Sequence, residues 1–234
     1  MKRNSTLLLI VASLLTGTFA NAQTTPAYTI DSLLYSSHFT KASDLSDWII
    51  EKSPADSERV MIQNHRLLLD TYGGATVWYK QELRGNILIR FKRTVVMQGG
   101  RNDRLSDFNQ FWMATDPLQH RLFKRNGAFN EYDSLSMYYI GMGGNYNSTT
   151  RFRKYSERGD KKILGEFTDA PHLLQPNKEY QVSIVMKDGW ILYIVDGETW
   201  FSYHDEQALT RGYFAFRSTR SRQEISEVQI YRVK

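Results

Sequence analysis

The sequence predicts an all-β fold, an antiparallel two-sheet sandwich of jelly-roll type, on three observations. About a dozen short apolar or alternating runs are bounded by clusters of turn residues. No run carries a convincing amphipathic helical pattern, and no gap between runs has the length of a crossover helix. Asp188-Gly189 separates two alternating runs, Tyr180–Lys187 and Trp190–Val195, which is the strongest short-range hairpin signal in the chain.

The elements follow in order. Lys2 and Arg3 precede the apolar run Leu7–Leu15 and the small-x-small site Ala20-Asn21-Ala22, so residues 1–22 read as a cleaved secretory signal. The apolar run is too short to span a bilayer, and no later membrane span is expected. Residues 23–29 read as a linker and residues 30–234 as one jelly-roll domain. Expected strands are Leu33–Phe39, Trp48–Glu51, Val60–Ile62, Arg66–Thr71, Thr76–Leu83, Asn86–Val96 and Phe108–Ala114. Thr115 to Asp133 is a polar segment. Met137–Met142 and Thr149–Tyr155 are strands, Ser156 to Lys178 is mostly loop, and the Asp188-Gly189 hairpin follows. Trp200–Tyr203, Tyr213–Ser218 and Ile225–Val233 complete the set. Phe214 and Phe216 are expected in the core.

Composition excludes some functions. The 234 residues contain no cysteine, which removes disulfides, thiolate metal sites, Cys nucleophiles and a lipid anchor on a cleaved Cys. Without Lys2 and Arg3 the net charge of +5 falls to +3, too mild to imply nucleic acid. The histidines form no metal-ligand spacing; His38 and His172 are the two retained as acid or base candidates, with His65, His120 and His204 set aside. No cofactor is called for. A structural calcium would fall at Asp103, Asp107 and the carbonyls near Gly99 and Gly100, without a specific loop pattern.

One stretch stands out, Tyr138 to Tyr155. Gly141, Gly143, Gly144, Asn145 and Asn147 form a reversal between strands, since glycine and asparagine tolerate positive φ. On the return strand Thr149, Arg151, Arg153 and Tyr155 share one face by alternation. Two guanidiniums and a phenol on one face suit an anionic, hydroxyl-rich ligand. A solvated sheet face is the plainer reading of the same alternation. Asn109 and Arg217 also fall on faces opposite core positions. Trp78, which shares a face with Lys80, is either core or a sugar platform, whereas Trp112 reads as core.

The closing strands, with Val195-Asp196-Gly197, Trp200-Phe201 and Gly212-Tyr213-Phe214-Ala215-Phe216-Arg217, resemble those of concanavalin A-like lectin and glucanase domains. Gly74–Lys80, Asn102-Asp103-Arg104, Asp107–Pro117 and Arg217–Glu224 resemble more narrowly a secreted family of unknown function from polysaccharide-degrading bacteria. Some members of that family are linked to dehydratase or lyase action on uronate oligosaccharides of the ulvan type. The resemblance implies β-elimination on an anionic oligosaccharide or polysaccharide.

Elimination needs a cation to neutralise the sugar carboxylate, a base for the adjacent C–H and an acid for the leaving oxygen. Arg151 would neutralise, Tyr155 or Lys80 would act near the proton, and Asn109, Arg153, Arg217, Trp78, Tyr139 and Asn145 would bind substrate on a concave face. Guanidiniums beside Tyr155 would lower its pKa. A non-catalytic carbohydrate-binding protein is the alternative. A glycoside hydrolase is the third reading, because Glu131 and Asp133 lack the further carboxylate expected of such a strand.

Overall fold

The computed structural model describes residues 26–54, 58–118 and 122–234. The signal-peptide reading and His120 lie outside them. Among the described residues sixteen strands, numbered in chain order, form two eight-stranded antiparallel sheets packed face to face. The back sheet runs β14 (Glu198–His204), β13 (Trp190–Val195), β12 (Glu179–Lys187), β7 (Ile87–Val96), β16 (Ser221–Val233), β4 (Arg66–Thr71) and β3 (Arg59–Gln63), with β1 (Ile30–Ser37) also paired to β16. The front sheet runs β11 (Lys161–Phe167), β10 (Thr149–Tyr155), β9 (Ser136–Gly143), β8 (Phe108–Thr115), β15 (Arg211–Ser218), β5 (Ala75–Tyr79) and β2 (Trp48–Lys52), with the short β6 (Leu83–Arg84) on β15. This is the expected two-sheet sandwich.

Alternation decides what enters the core. Phe108, Trp112, Tyr138, Ile140, Phe214 and Phe216 of the front sheet meet Leu67, Ile89, Phe91, Val182, Ile184 and Tyr193 of the back sheet, all buried. Phe216 lies edge-on to Phe91, ring centroids 4.9 Å apart, and stacks on Trp48 at 5.6 Å. Such interlocking rings add to the area they remove from water.

Two strand assignments change. Lys161–Phe167 forms β11 within the expected loop, and the expected strand Thr76–Leu83 ends at Tyr79, resuming only as β6. β11 is a sheet edge, where lysines and one solvated face hide the strand pattern. The Asp188-Gly189 hairpin is present, with Lys187 opposite Trp190.

One charge sits in the middle of the sandwich. Arg93 of β7 is fully buried; its Nη1 donates to the Asn109 carbonyl at 2.7 Å and its Nη2 to the Arg217 carbonyl at 2.9 Å. The guanidinium therefore ties the back sheet to β8 and β15 of the front sheet. It also lies 4.7 Å from the centre of the Phe108 ring. Burial pulls its pKa down to about 9, the cost of removing a cation from water. Replacing it with methionine keeps much of the volume but strands two buried carbonyls. Arg93→Met is expected to lower stability by about 2–4 kcal/mol, read as a lower urea midpoint. An unchanged midpoint would show that these carbonyls find other partners.

Candidate functional site

The outer face of the front sheet is organised by two residue rows that cross its seven main strands. One row runs through Glu51, Thr76, Arg217, Asn109, Gly141, Arg151 and Glu166. The next runs through Ile49, Trp78, Ala215, Phe111, Tyr139, Arg153 and Ile163. Antiparallel register places directly opposed side chains on the same face, so residues distant in sequence become neighbours.

Half of this face is roofed. Leu122, Phe123, Phe129, Tyr132 and Leu135 from the polar segment pack onto Trp78, Phe111, Ala215, Tyr139 and Tyr155 to form a second core. Buried polar groups fasten the roof. Glu51 accepts from Trp78 Nε1 at 2.7 Å, Tyr132 hydroxyl at 2.8 Å and the Arg125 backbone N–H at 2.7 Å. Arg125 pairs with the buried Asp116 at 2.5 Å. From below, Arg217 donates to Thr76 Oγ1 at 3.0 Å and to the Gly127 carbonyl at 2.8 Å. Its guanidinium lies 4.9 Å from both the Phe129 and Tyr132 ring centres. Gly127 has φ of 87°, and a β-carbon there would stand 2.5 Å from the Gly74 carbonyl oxygen. Roof and sheet backbones meet at that point.

Where the roof stops, a cavity of about 260 Å³ opens over β8, β9 and β10. Asn109, Tyr139 and Gly141 line it on the sheet, and Arg151, Arg153 and Thr149 come from β10. Arg104, Ser106, Asp107, Thr219, Phe129 and the turn residues Asn145 and Tyr146 complete the lining. Tyr139 donates its hydroxyl to Asn109 Oδ1 at 3.1 Å. Its ring occupies the space above Gly141, where a β-carbon would come within 2.3 Å of the phenol oxygen. Glycine at 141 therefore makes room for the tyrosine.

Cations outnumber carboxylates in this cavity. Arg151 Nε pairs with Glu166, and Arg104 pairs with Asp107 while donating from Nε to the Arg220 carbonyl at 3.0 Å. Arg153 has no ion-pair partner among the described residues, and its Nε is buried without a hydrogen bond. The guanidinium lies 5.8 Å from the Tyr139 ring centre.

Of the residues singled out in the sequence, Asn109, Tyr139, Asn145, Arg151 and Arg153 meet at the cavity. Four do not. Trp78 is fully buried beneath the roof, so it is core and not a sugar platform. Arg217 is on the expected face but is sealed between sheet and roof, with its pKa lowered by burial. Lys80 lies past the end of β5 and donates to the Ser46 carbonyl at 3.3 Å, away from the cavity. Tyr155 is buried in the second core, 5.6 Å from the Tyr139 ring centre. Burial raises its pKa and outweighs the opposing pull of Arg153, the reverse of the lowering expected for a base. Tyr139 is raised too, by the same desolvation.

The other candidates are equally engaged. Glu131 accepts from the Asn126 N–H at 2.7 Å, and Asp133 pairs with Lys161 at 2.7 Å, so they form no facing carboxylate pair. Asp103 is held by Arg222 at 3.0 Å and by the Gly100 N–H at 2.9 Å, and Asp107 by Arg104 and the Arg220 N–H. These partners take up the carboxylates considered for calcium. His172 stacks on Phe167 with centroids 3.7 Å apart, and His38 lies in a separate surface hollow beside His65. Sequence reasoning missed Arg104 and Tyr146. An aromatic inside a Gly/Asn turn, as Tyr146 is, was the available signal.

Residues 69–228 match the family model described as "Domain of unknown function (DUF6250)". No curated protein sequence matches the chain. Among solved structures, a protein of unknown function with a galectin-like fold from Bacillus subtilis is 17% identical, with TM-score 0.72, covering 88% of this chain and 99% of its own. Carbohydrate binding module CBM66 from Bacillus subtilis is 9% identical, with TM-score 0.56 and coverages of 79% and 95%. LamA from Z. galactanivorans, in complex with laminaritriose and laminaritetraose, is 11% identical, with TM-score 0.59 and coverages of 87% and 100%. At these identities the likeness is one of fold, the concanavalin A-like jelly roll.

Glu51 is the residue whose loss should loosen the roof. Glu51→Leu leaves an indole N–H, a phenol and a backbone N–H without their acceptor, and is expected to cost about 3–5 kcal/mol. Hydrogen exchange should accelerate first in residues 122–135. Uniform acceleration across both sheets would contradict the roof's being fastened from this point.

Proposed function

The chain belongs to the DUF6250 family, whose description assigns no activity, and from the cavity itself we propose that it binds an acidic saccharide without chemically altering it. The observation that carries this reading is Arg153. A guanidinium with no carboxylate partner, beside the partly engaged Arg151 and above an aromatic and amide floor, offers charge to an anion and a flat surface to a sugar ring. The hydrogen-bonding floor of Asn109 and the Tyr139 hydroxyl suits sugar hydroxyls. Structures of this fold include a carbohydrate binding module and a protein holding laminari-oligosaccharides, which supports a saccharide ligand. The Lys2-to-Ala22 pattern supports export to the periplasm or the medium, where such polymers are met.

Elimination draws less support from the same groups. A general base should be poised near the working pH, yet burial raises the pKa of Tyr139 at the cavity and of Tyr155 in the second core beside it. Hydrolysis would ask for two carboxylates flanking one bond, and the cavity's Asp107 is committed to Arg104.

Titration calorimetry with hexuronate oligosaccharides tests the reading. Arg153→Ala is expected to weaken binding by about 2–5 kcal/mol, Arg151→Ala by less because Glu166 already shares it, and the exposed Arg158→Ala by nothing measurable. Neutral laminari-oligosaccharides should bind more weakly than the hexuronates. Equal losses at Arg153 and Arg158 would overturn the assignment, and an unsaturated chromophore in the incubated saccharide would establish elimination in its place.

A further inference from the structure

The roof walls the cavity on one side, and this bears on which part of a saccharide it takes. We infer that it holds the terminal, acid-bearing sugar of a chain, with Tyr146 as the platform for the next sugar; this rests on the acidic-saccharide reading above. The volume of about 260 Å³ falls just below the ~300–1,000 Å³ usual for sites of drug-sized ligands, which fits one sugar ring and not several. Phe129, at the edge of the roof, stands across the rows that would otherwise continue the surface towards Arg217 and Trp78. A chain running along the outer face would strike that edge. In this reading its end sits in the cavity and the remainder leaves past the β9–β10 turn, where Tyr146 is exposed.

Tyr146 stands at that exit. It is 79% exposed, lines the cavity and packs against the Arg104 guanidinium, 5.1 Å from the ring centre. An exposed tyrosine alone would carry little meaning. Here Asn145, Tyr146 and Asn147 have φ of 52°, 59° and 61°, three consecutive non-glycine residues in the left-handed region. Each is conformationally unfavourable, so surrounding structure must hold them. The Asn147 side chain does so, donating to the Leu174 carbonyl at 2.9 Å and accepting from the Leu174 N–H at 2.8 Å. Ser148 Oγ adds a bond to the Asn145 carbonyl at 2.8 Å. The result is a fixed aromatic face presented to solvent at the margin of the cavity that Arg151 and Arg153 line. A preorganised ring of this kind binds the apolar face of a pyranose with little loss of its own freedom.

The test compares galacturonate, digalacturonate, tetragalacturonate and an oligosaccharide whose galacturonate is capped at both ends by neutral sugars. In the intact folded chain, affinity should rise about tenfold from monomer to dimer and then level off, with the capped chain at least about tenfold weaker than the dimer. Tyr146→Ala should erase the dimer's advantage, weakening the dimer about tenfold more than the monomer, while Tyr146→Phe keeps it. Because the side chain is exposed, thermal melts of both variants should match the parent protein. Affinity that keeps climbing to the tetramer, a capped chain bound as tightly as the dimer, or a Tyr146→Ala loss shared equally by monomer and dimer would each overturn the chain-end inference while leaving acidic-saccharide binding intact. No binding of any galacturonide would instead overturn the underlying reading, and this inference with it.

Discussion

Glu51 and Arg217 lie in the same cross-strand row, one strand apart on either side of Thr76, and both are buried under the roof. Removing a charge from water is costly unless nearly every polar direction is satisfied. The carboxylate takes three donors, and the guanidinium takes two hydroxyls, a carbonyl and two ring faces, leaving only its Nε unmatched among the described residues. Tyr132 touches both, bonding Glu51 through its hydroxyl and offering its ring to Arg217. Two opposite charges thus hold one strip of chain against the sheet. The position of the cavity depends on that arrangement, because the edge of the strip is its wall.

The chemistry of the cavity follows from what the roof leaves uncovered. Burial drives the tyrosines beside it towards the neutral phenol, which favours a fixed aromatic and hydrogen-bonding floor over proton transfer. Arg151 and Arg104 are partly neutralised by Glu166 and Asp107, whereas Arg153 keeps its charge available. An anion entering here meets a half-buried cation without first displacing a protein carboxylate. Arg93, bonding the Asn109 and Arg217 carbonyls from the opposite side, fixes the strands that carry this floor.

Much of this was legible in the sequence, and the remainder failed for physical reasons. Period-two alternation placed Arg151, Arg153, Tyr155, Asn109 and Arg217 away from the inter-sheet core, and the register agrees for each of them. Alternation reports which face a residue occupies, not what covers that face. The covering chain, Thr115 to Asp133, is polar in composition, and its apolar contacts come from Phe123, Phe129 and Tyr132 scattered without a period. Arg217 and Tyr155 were therefore read as open when they are sealed, and Trp78, left between core and platform, is core. β11 was missed because its lysines and its exposed Ile163 break the alternation, as an edge strand's sequence often does. Tyr146 carries its meaning in backbone torsions that composition does not encode.

A crystal structure of the protein with a bound hexuronate oligosaccharide tests the central claim most directly. The account predicts a carboxylate oxygen within hydrogen-bonding distance of Arg153, with Arg151 alongside. It also predicts the sugar ring against Tyr139 and the roof still in place over Trp78 and Arg217. A saccharide lying on any other surface, or one that displaced the roof to run along the whole front sheet, would contradict it.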